Sequence, residues 1–288
     1  MMTKKIDLHL HTNVSDGTDT PQELLENVKK AGIELFAVTD HDDIKGNLAV
    51  RSVITDSDPK FIPGAEFSCK DSEGKYHILG YGFDTSSPAI LDVVQTGHDF
   101  RMGKVRARLD FLKNEFGFDF PQEELDTLLS MDNPGKPHIG NLMVKYGYAP
   151  SKEVAIHDFI DKIHFKSAYV KPEFAISGIL AAGGVPVLAH PSYGSGDQLI
   201  IGDEMDERVR RLLEYGLAGL EAFYSGFSAK LRNEILSLAD KYDLYVTAGS
   251  DYHGKNKMVI LGDTGLSDTS ILPKGMVKFL KNMKVYED

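Results

Sequence analysis

The sequence predicts an α/β protein in which parallel strands alternate with helices, closed as a barrel or laid out as an open sheet, with a helical block inserted partway along the chain. Three observations carry that class. Short apolar runs of strand period alternate with segments of helical period over residues 5–83 and again from residue 174 onward. From about residue 98 to 171 the strand pattern stops and helical patterns alone remain. The apolar runs of the alternating parts end in histidine, aspartate or glutamate, as expected where the carboxyl ends of parallel strands share one edge.

The elements follow in order. Residues 5–12 read as a first strand, with Ile6, Leu8 and Leu10 alternating with Asp7, His9 and His11. Side chains two apart share a face, so His9 and His11 point the same way, either toward one metal ion or as a polar stripe on an edge strand. Residues 20–31 form a helix that Thr20-Pro21 starts and Gly32 ends. ELFAVTDHD is the second strand, a short helix spans 47–52, and KFIPGAEFS and KYHILGYGF are the third and fourth strands, joined by a hairpin-like turn at DSEG. Four helices then follow in HDFRMGKVRARLDFLKNEFG, PQEELDTLLS, PHIGNLMVKYG and SKEVAIHDFIDKI. Alternation resumes with a helix to Gly183, the strand VPVLAHP, a helix over 203–216, the strand LAGLEAFYS, a helix over 228–242 and the strand YVTAGSDYHG. The expected division is a barrel or sheet body of residues 1–97 and 172–288 around a helical insertion of 98–171.

Composition narrows the function. The 288 residues carry a formal net charge of -11, which opposes sequence-independent binding to long duplex nucleic acid or to an anionic membrane. It leaves room for a small anionic substrate, because bound cations set the local field. Cys69 is the single cysteine, so no intrachain disulfide framework exists. No run of about 18 apolar residues and no signal-peptide core is present, and a cytoplasmic location is expected.

The metal-type residues fall at the ends of six segments: His9 and His11, with Asp16 just after; Asp40 and His41; Glu66; His77 on the fourth strand; His190; and Asp251 and His253. Surface polarity explains any one of these. It poorly explains six that each follow a run fit for burial.

In order, the motifs DLHLHT…SDG, TDHD, GAEFS, HILGYG, LAHP and GSDYHG resemble the PHP (polymerase and histidinol phosphatase) family over roughly the first 84 residues and residues 185–254. The resemblance implies a distorted seven-stranded (β/α) barrel with two to three divalent ions. The nine ligand positions are filled by His9, His11, Asp16, His41, Glu66, His77, His190, Asp251 and His253. It further implies that His9, His11, Glu66 and Asp251 hold one ion, that Glu66 bridges to a second held by His77 and His190, and that Asp16, His41 and His253 hold a third. Glu66, Asp251, His253 and Asp16 are the expected catalytic ligands.

Mixed imidazole and carboxylate donors suit Mn, Fe or Zn without choosing among them. Such a centre lowers the pKa of a bound water, so the expected reaction is hydrolysis of a phosphate ester by a metal-bridging hydroxide. Asp7 and Asp40 stand beside ligands, either orienting imidazoles or filling polar space.

In the insertion, Arg101, Lys104 and Arg108 share a helix face, either as a solvated stripe or as a phosphate clamp over the mouth. Lys136 and His138 stand at an expected helix start, where backbone N–H groups favour an anion, or His138 is an ordinary surface or packed histidine. Tyr193 and Tyr252 flank ligand segments and either stack on a base or pack in the wall. His98, His157 and His164 have no motif around them and read as structural.

A PHP barrel interrupted by a helical insertion resembles the stand-alone members that remove the 3′-phosphate from nucleoside 3′,5′-bisphosphates, some of which trim short RNA from its 5′ end. The implied partner is a small phosphorylated substrate, a nucleotide or short oligonucleotide. The alternatives are a histidinol-phosphate-type phosphatase, an amidohydrolase or deaminase, and a non-enzymatic PHP module. Glu66 in place of a modified lysine weighs against the amidohydrolase, and the full ligand set weighs against the module.

Overall fold

The computed structural model describes residues 5–131, 133–163, 169–194, 198–267 and 271–285. Seven strands follow one another in chain order: β1 (Ile6–Leu10), β2 (Leu35–Val38), β3 (Lys60–Lys70), β4 (Lys75–Tyr81), β5 (Val185–Leu188), β6 (Gly219–Tyr224) and β7 (Tyr245–Gly249). The sheet curls until its ends meet. His11 N donates to Tyr252 O at 3.0 Å and Asp251 N donates to His9 O at 2.9 Å, which ties the rim beyond β7 to the end of β1. The choice between open sheet and barrel thus falls to a nearly closed barrel.

β1, β2 and β3 pair in parallel, as do β5, β6 and β7. β4 runs antiparallel to both neighbours, as the hairpin-like turn at DSEG foreshadows for its pairing with β3. The cause is the short turn at 71–74, since a parallel return needs a crossover of a dozen or more residues. The reversal matters for the site. His77 lies near the start of β4 and pairs in register with Ser68 near the end of β3. The start of the antiparallel strand therefore meets the same rim as the carboxyl ends of its neighbours.

Ten helices are described: α1 (Pro21–Lys30), α2 (Lys45–Val53), α3 (Pro88–Phe116), α4 (Gln122–Leu129), α5 (Lys136–Lys145), α6 (Lys152–Val154), α7 (Pro172–Ala181), α8 (Gly202–Glu214), α9 (Ala229–Lys241) and α10 (Lys274–Asn282). Thr20 and Glu23 close a capping box on α1, with Glu23 N donating to Thr20 Oγ1 at 3.2 Å and Thr20 N to Glu23 Oε2 at 2.8 Å.

Two differences from the sequence reading concern helices. α3 begins ten residues before His98, so the expected boundary at 97/98 falls inside one helix. Ile90 and Val93 of α3 are buried in the barrel core, whereas Val105 and Leu112 belong to a separate apolar cluster with Phe120, Ile139 and Met143. α10 was not anticipated. Its Met276, Phe279 and Leu280 share a face and complete the barrel core, where Phe279 meets the Tyr81 ring edge-on at 5.5 Å. Among the described residues, no helix is long and apolar enough to cross a membrane.

Candidate metal centre

Nine side chains from the strand ends and their loops meet at one rim of the barrel. His9 and His11 are fully buried, which rejects the solvent-facing stripe. Glu66, 1% exposed, stands at the middle. Its two oxygens face different histidines. Oε2 lies 3.3 Å from His9 Nε2, 3.3 Å from His11 Nε2 and 3.1 Å from His41 Nδ1. Oε1 lies 2.8 Å from His77 Nδ1 and 3.2 Å from His190 Nε2. Asp251 Oδ1 completes the first group, 3.5 Å from His9 Nε2 and 3.4 Å from His11 Nε2. Asp16 Oδ1 lies 3.2 Å from His253 Nε2, 3.9 Å from His11 Nδ1 and 4.0 Å from His41 Nε2.

Three overlapping sets are close enough for their donor atoms to share an ion: His9, His11, Glu66 and Asp251; His11, Asp16, His41 and His253; and His41, Glu66 and His77. His190 reaches Glu66 but stands outside these sets, and His11 and His41 each join two. The residues fit a metal group by a direct test. His9 Nε2, His11 Nε2, Asp16 Oδ1, His41 Nδ1, Glu66 Oε2 and His190 Nδ1 are buried with no hydrogen-bond partner. Buried polar atoms without partners are rare and costly, and five of these belong to the donor sets just described.

The electrostatics agree. Burial alone would raise the Glu66 carboxyl, but His77, His41 and His9 hold it well below the usual carboxylate range. Burial is likewise outweighed at Asp16 by His253 and His41, and at Asp251 by His9 and Lys257. Burial would lower His11, yet the Asp251 and Glu66 carboxylates beside it carry it up to about 9. At His41 burial wins and the imidazole is pushed down to about 3.

The backbone stores some cost here. Asp42, His190 and Asp251 adopt positive φ of 52°, 26° and 60°. Each costs on the order of 1–3 kcal/mol, tolerated where the surroundings fix it. Gly249 permits a close approach, since a Cβ there would lie 2.2 Å from His9 Cβ and 2.4 Å from Glu221 Oε1.

Several supporting residues escaped the sequence reading. Glu221 on β6 accepts from His9 Nδ1 at 2.9 Å, which turns Nε2 inward, and its other oxygen accepts from His190 N at 2.8 Å. A lone carboxylate inside the otherwise apolar run GLEAFY was the available signal. Tyr224 donates to Asp251 Oδ2 at 2.8 Å, and Lys257 pairs with the same oxygen. Asp7 and Asp40 act less directly than orienting an imidazole would require. Asp7 accepts from the backbone of Ser250 at 2.9 Å and Gly262 at 2.8 Å. Asp40 accepts from Thr12 N and from Ser15 Oγ, and Ser15 Oγ stands 3.5 Å from His11 Nδ1.

The insertion residues divide. Arg101 is buried and donates from Nε and Nη2 to Asp42 Oδ2 at 3.1 and 2.7 Å, and from Nη2 to Ser68 Oγ at 3.2 Å. Lys104 lies with Nζ 3.8 Å over the Tyr169 ring, where Lys75 and Lys70 also approach at 5.7 and 6.0 Å. Burial, with Arg101, Arg108 and Lys75 nearby, pushes the Lys104 ammonium down to about 7. Arg108 is buried on the same helix face. His138 Nδ1 accepts from Gly135 N at 3.0 Å and caps α5, and Lys136 pairs with Asp161. Pro137 at that helix start lines the cavity over the centre, a space of about 260 Å³. Tyr252 donates to Asp19 Oδ2 at 3.0 Å and packs in the wall. Tyr193 is 37% exposed and 6.0 Å from the His190 ring. His157 is exposed beside Asp158, and His164 lies outside the described residues.

A curled seven-stranded sheet with a histidine–carboxylate cluster at its rim defines a metal-dependent phosphoesterase barrel. The model of the PHP domain matches residues 7–169, more than half of the chain, and the protein belongs to the PHP domain family. A phosphoribosyl 1,2-cyclic phosphate 1,2-diphosphodiesterase of Eggerthella lenta is 31% identical over 260 residues, covering 86% of this chain and 94% of that protein. A 3′,5′-nucleoside bisphosphate phosphatase of Chromobacterium violaceum is 27% identical over 283 residues, covering 93% and 92%. A crystal structure from Bifidobacterium adolescentis, assigned to the metal-dependent phosphoesterases, superposes with a TM-score of 0.81 at 26% identity, covering 97% of this chain and 96% of that one.

Proposed function

We propose that this metal-dependent phosphoesterase removes the 3′-phosphate from nucleoside 3′,5′-bisphosphates, with trimming of short RNA from the 5′ end as a second activity of the same centre. The observation that carries the reading is Glu66, whose two oxygens face separate histidine groups at the floor of a cavity sized for a small substrate. His9, His11, Glu66 and Asp251 would hold one ion, Glu66, His77 and His190 a second, and Asp16, His41 and His253 a third, with Mn, Fe or Zn all suited to these donors. Such ions supply Lewis acidity and a nucleophilic water at neutral pH.

The chain's own residues do the rest. Glu221 fixes the His9 tautomer and Tyr224 fixes the Asp251 carboxylate. Substrate selection falls to the cations around Tyr169. Lys75 and His77 are two apart on β4 and share a face, about 7 Å from one another along the strand. Lys75, Lys104 and Arg108 thus form an anion subsite one sugar's breadth from the centre, suited to the second phosphate of a bisphosphate. Pro137 lines the cavity from the insertion, which we take as residues 98–171 on a barrel of 1–97 and 172–288. Arg101 serves the subsite indirectly, through its pair with Asp42.

A cyclic phosphodiesterase is the second reading, favoured by the 31% identity to the Eggerthella protein. The test is phosphate release by Mn²⁺-loaded protein from adenosine 3′,5′-bisphosphate, beside phosphoribosyl 1,2-cyclic phosphate, histidinol phosphate and p-nitrophenyl phosphate, with a chelator control. Preference for the bisphosphate, lost on chelation, is expected. Preference for the cyclic ester or for histidinol phosphate would overturn the substrate assignment and keep the centre.

A further inference from the structure

Lys257 follows the last metal-type histidine by four residues and turns back into the cavity. Among the described residues that line this space, it is the only lysine or arginine. The expected clamp does not supply a fixed charge there, because Arg101 is engaged by Asp42 and Lys104 lies over Tyr169. The Lys257 ammonium pairs with Asp251 Oδ2 and donates to the Tyr224 hydroxyl at 3.0 Å. These contacts use two of its three N–H donors. Its side chain remains 36% exposed.

The segment carrying it is held at several points. Lys255 N donates to Thr18 Oγ1 at 2.9 Å, Asn256 Nδ2 donates to Asp16 O at 2.8 Å, and Lys152 of the insertion donates to Asn256 O at 3.1 Å. A lysine so anchored loses little further freedom when it binds a ligand. Its charge is also poorly explained by Asp251 alone. That carboxylate already accepts from Tyr224 and faces His9 and His11, and an ammonium beside a cation-binding carboxylate repels the cation. An anion brought to the same wall removes the conflict.

We propose that Lys257 is a phosphate-binding residue of this site, presenting its remaining N–H to a non-bridging oxygen of the phosphoryl group under attack. The inference rests on the phosphoesterase reading and adds that the scissile group is gripped by Lys257, while the cations around Tyr169 serve the second phosphate. The test compares wild type, K257M and K257R for bound metal by elemental analysis, for inhibition by inorganic phosphate, and for turnover of adenosine 3′,5′-bisphosphate and p-nitrophenyl phosphate. K257M should keep its metal, bind phosphate about 10–100-fold more weakly and lose both substrates by a similar factor, with K257R recovering part of the loss. Unchanged phosphate inhibition in K257M would overturn the inference, as would loss of the metal, which would make Lys257 a support for Asp251. Metal-loaded wild type that neither binds phosphate nor releases it would overturn the phosphoesterase reading itself.

Discussion

Lys104 shows how far one residue's environment departs from what its sequence neighbourhood suggests. Its spacing from Arg101 and Arg108 was legible, and so was the shared face. Its burial was not, because Tyr169 comes from a segment 65 positions later in the chain. The aromatic face favours the ammonium while burial and neighbouring cations disfavour it, and the net result is a pKa of about 7 against an ordinary 10.5. The sign for stability follows. Between about pH 7 and 10.5 the unfolded chain binds a proton here that the folded chain does not, so stability rises with pH across that window. Below about pH 7 both states are protonated and the penalty is present in full. The slope from this group approaches ~1.4 kcal/mol per pH unit at most. Replacing Lys104 with Met should remove that contribution and raise stability at neutral pH, measured as urea midpoints from pH 6 to 10. A variant with the wild-type pH dependence would place the proton elsewhere. The metal-type residues were far more legible than Lys104, since nine positions were marked by acids and imidazoles at the ends of apolar runs. Glu221 was missed because only the fold reveals that its side chain reaches His9 past Gly249 of β7.

At the scale of elements, α3 carries the largest correction. Thr96 and Gly97 interrupt its apolar pattern and are weak helix formers, so the start at Pro88 was hidden. The structure gives Gly97 a use, since a Cβ there would lie 2.8 Å from Asp42 Cβ. One turn later, Arg101 meets the same aspartate. Asp42 stands at positive φ beside His41, and the Arg101 pair is what balances its buried charge. Arg101 therefore couples the long helix to the rim of the centre instead of waiting for substrate. Arg101→Ala should leave an uncompensated buried carboxylate and destabilise the fold by about 3–5 kcal/mol. Calorimetry checks this, and a variant of normal melting temperature with an altered KM would return Arg101 to the clamp. The reversal of β4 was foreshadowed by its short turn, but the turn alone does not reveal that β5 pairs antiparallel as well. α10 was missed for a different reason. Its apolar positions 276, 279, 280 and 283 are spaced for a helix, yet no metal-type residue drew attention to them.

For the whole molecule, the barrel brings segments from both ends of the chain to one centre, so metal held there would be part of its stability. The first and last strands join through the backbone of His9, His11, Asp251 and Tyr252, so the seam of the barrel is made of the metal-type segments themselves. The alternating pattern of strands and helices made the class legible from sequence; this closure was not, because it depends on two ends 240 residues apart. Ions bind the folded arrangement and not the separated segments, so they stabilise by mass action, about 2.7 kcal/mol at a free concentration a hundred times the Kd. At about 2–4 °C per kcal/mol for a chain of this size, that corresponds to a fall of roughly 5–11 °C in Tm on chelation. The loss should be local in origin. Hydrogen exchange should quicken first at the amides of His11 and Asp251, which donate across the seam, before those of the β5–β6 ladder. Glu66→Ala, which removes the carboxylate common to two of the three donor sets, should lose most of the rise in Tm that added Mn²⁺ gives the wild type. Chelation that leaves both Tm and seam exchange unchanged would separate the ions from the closure of the barrel.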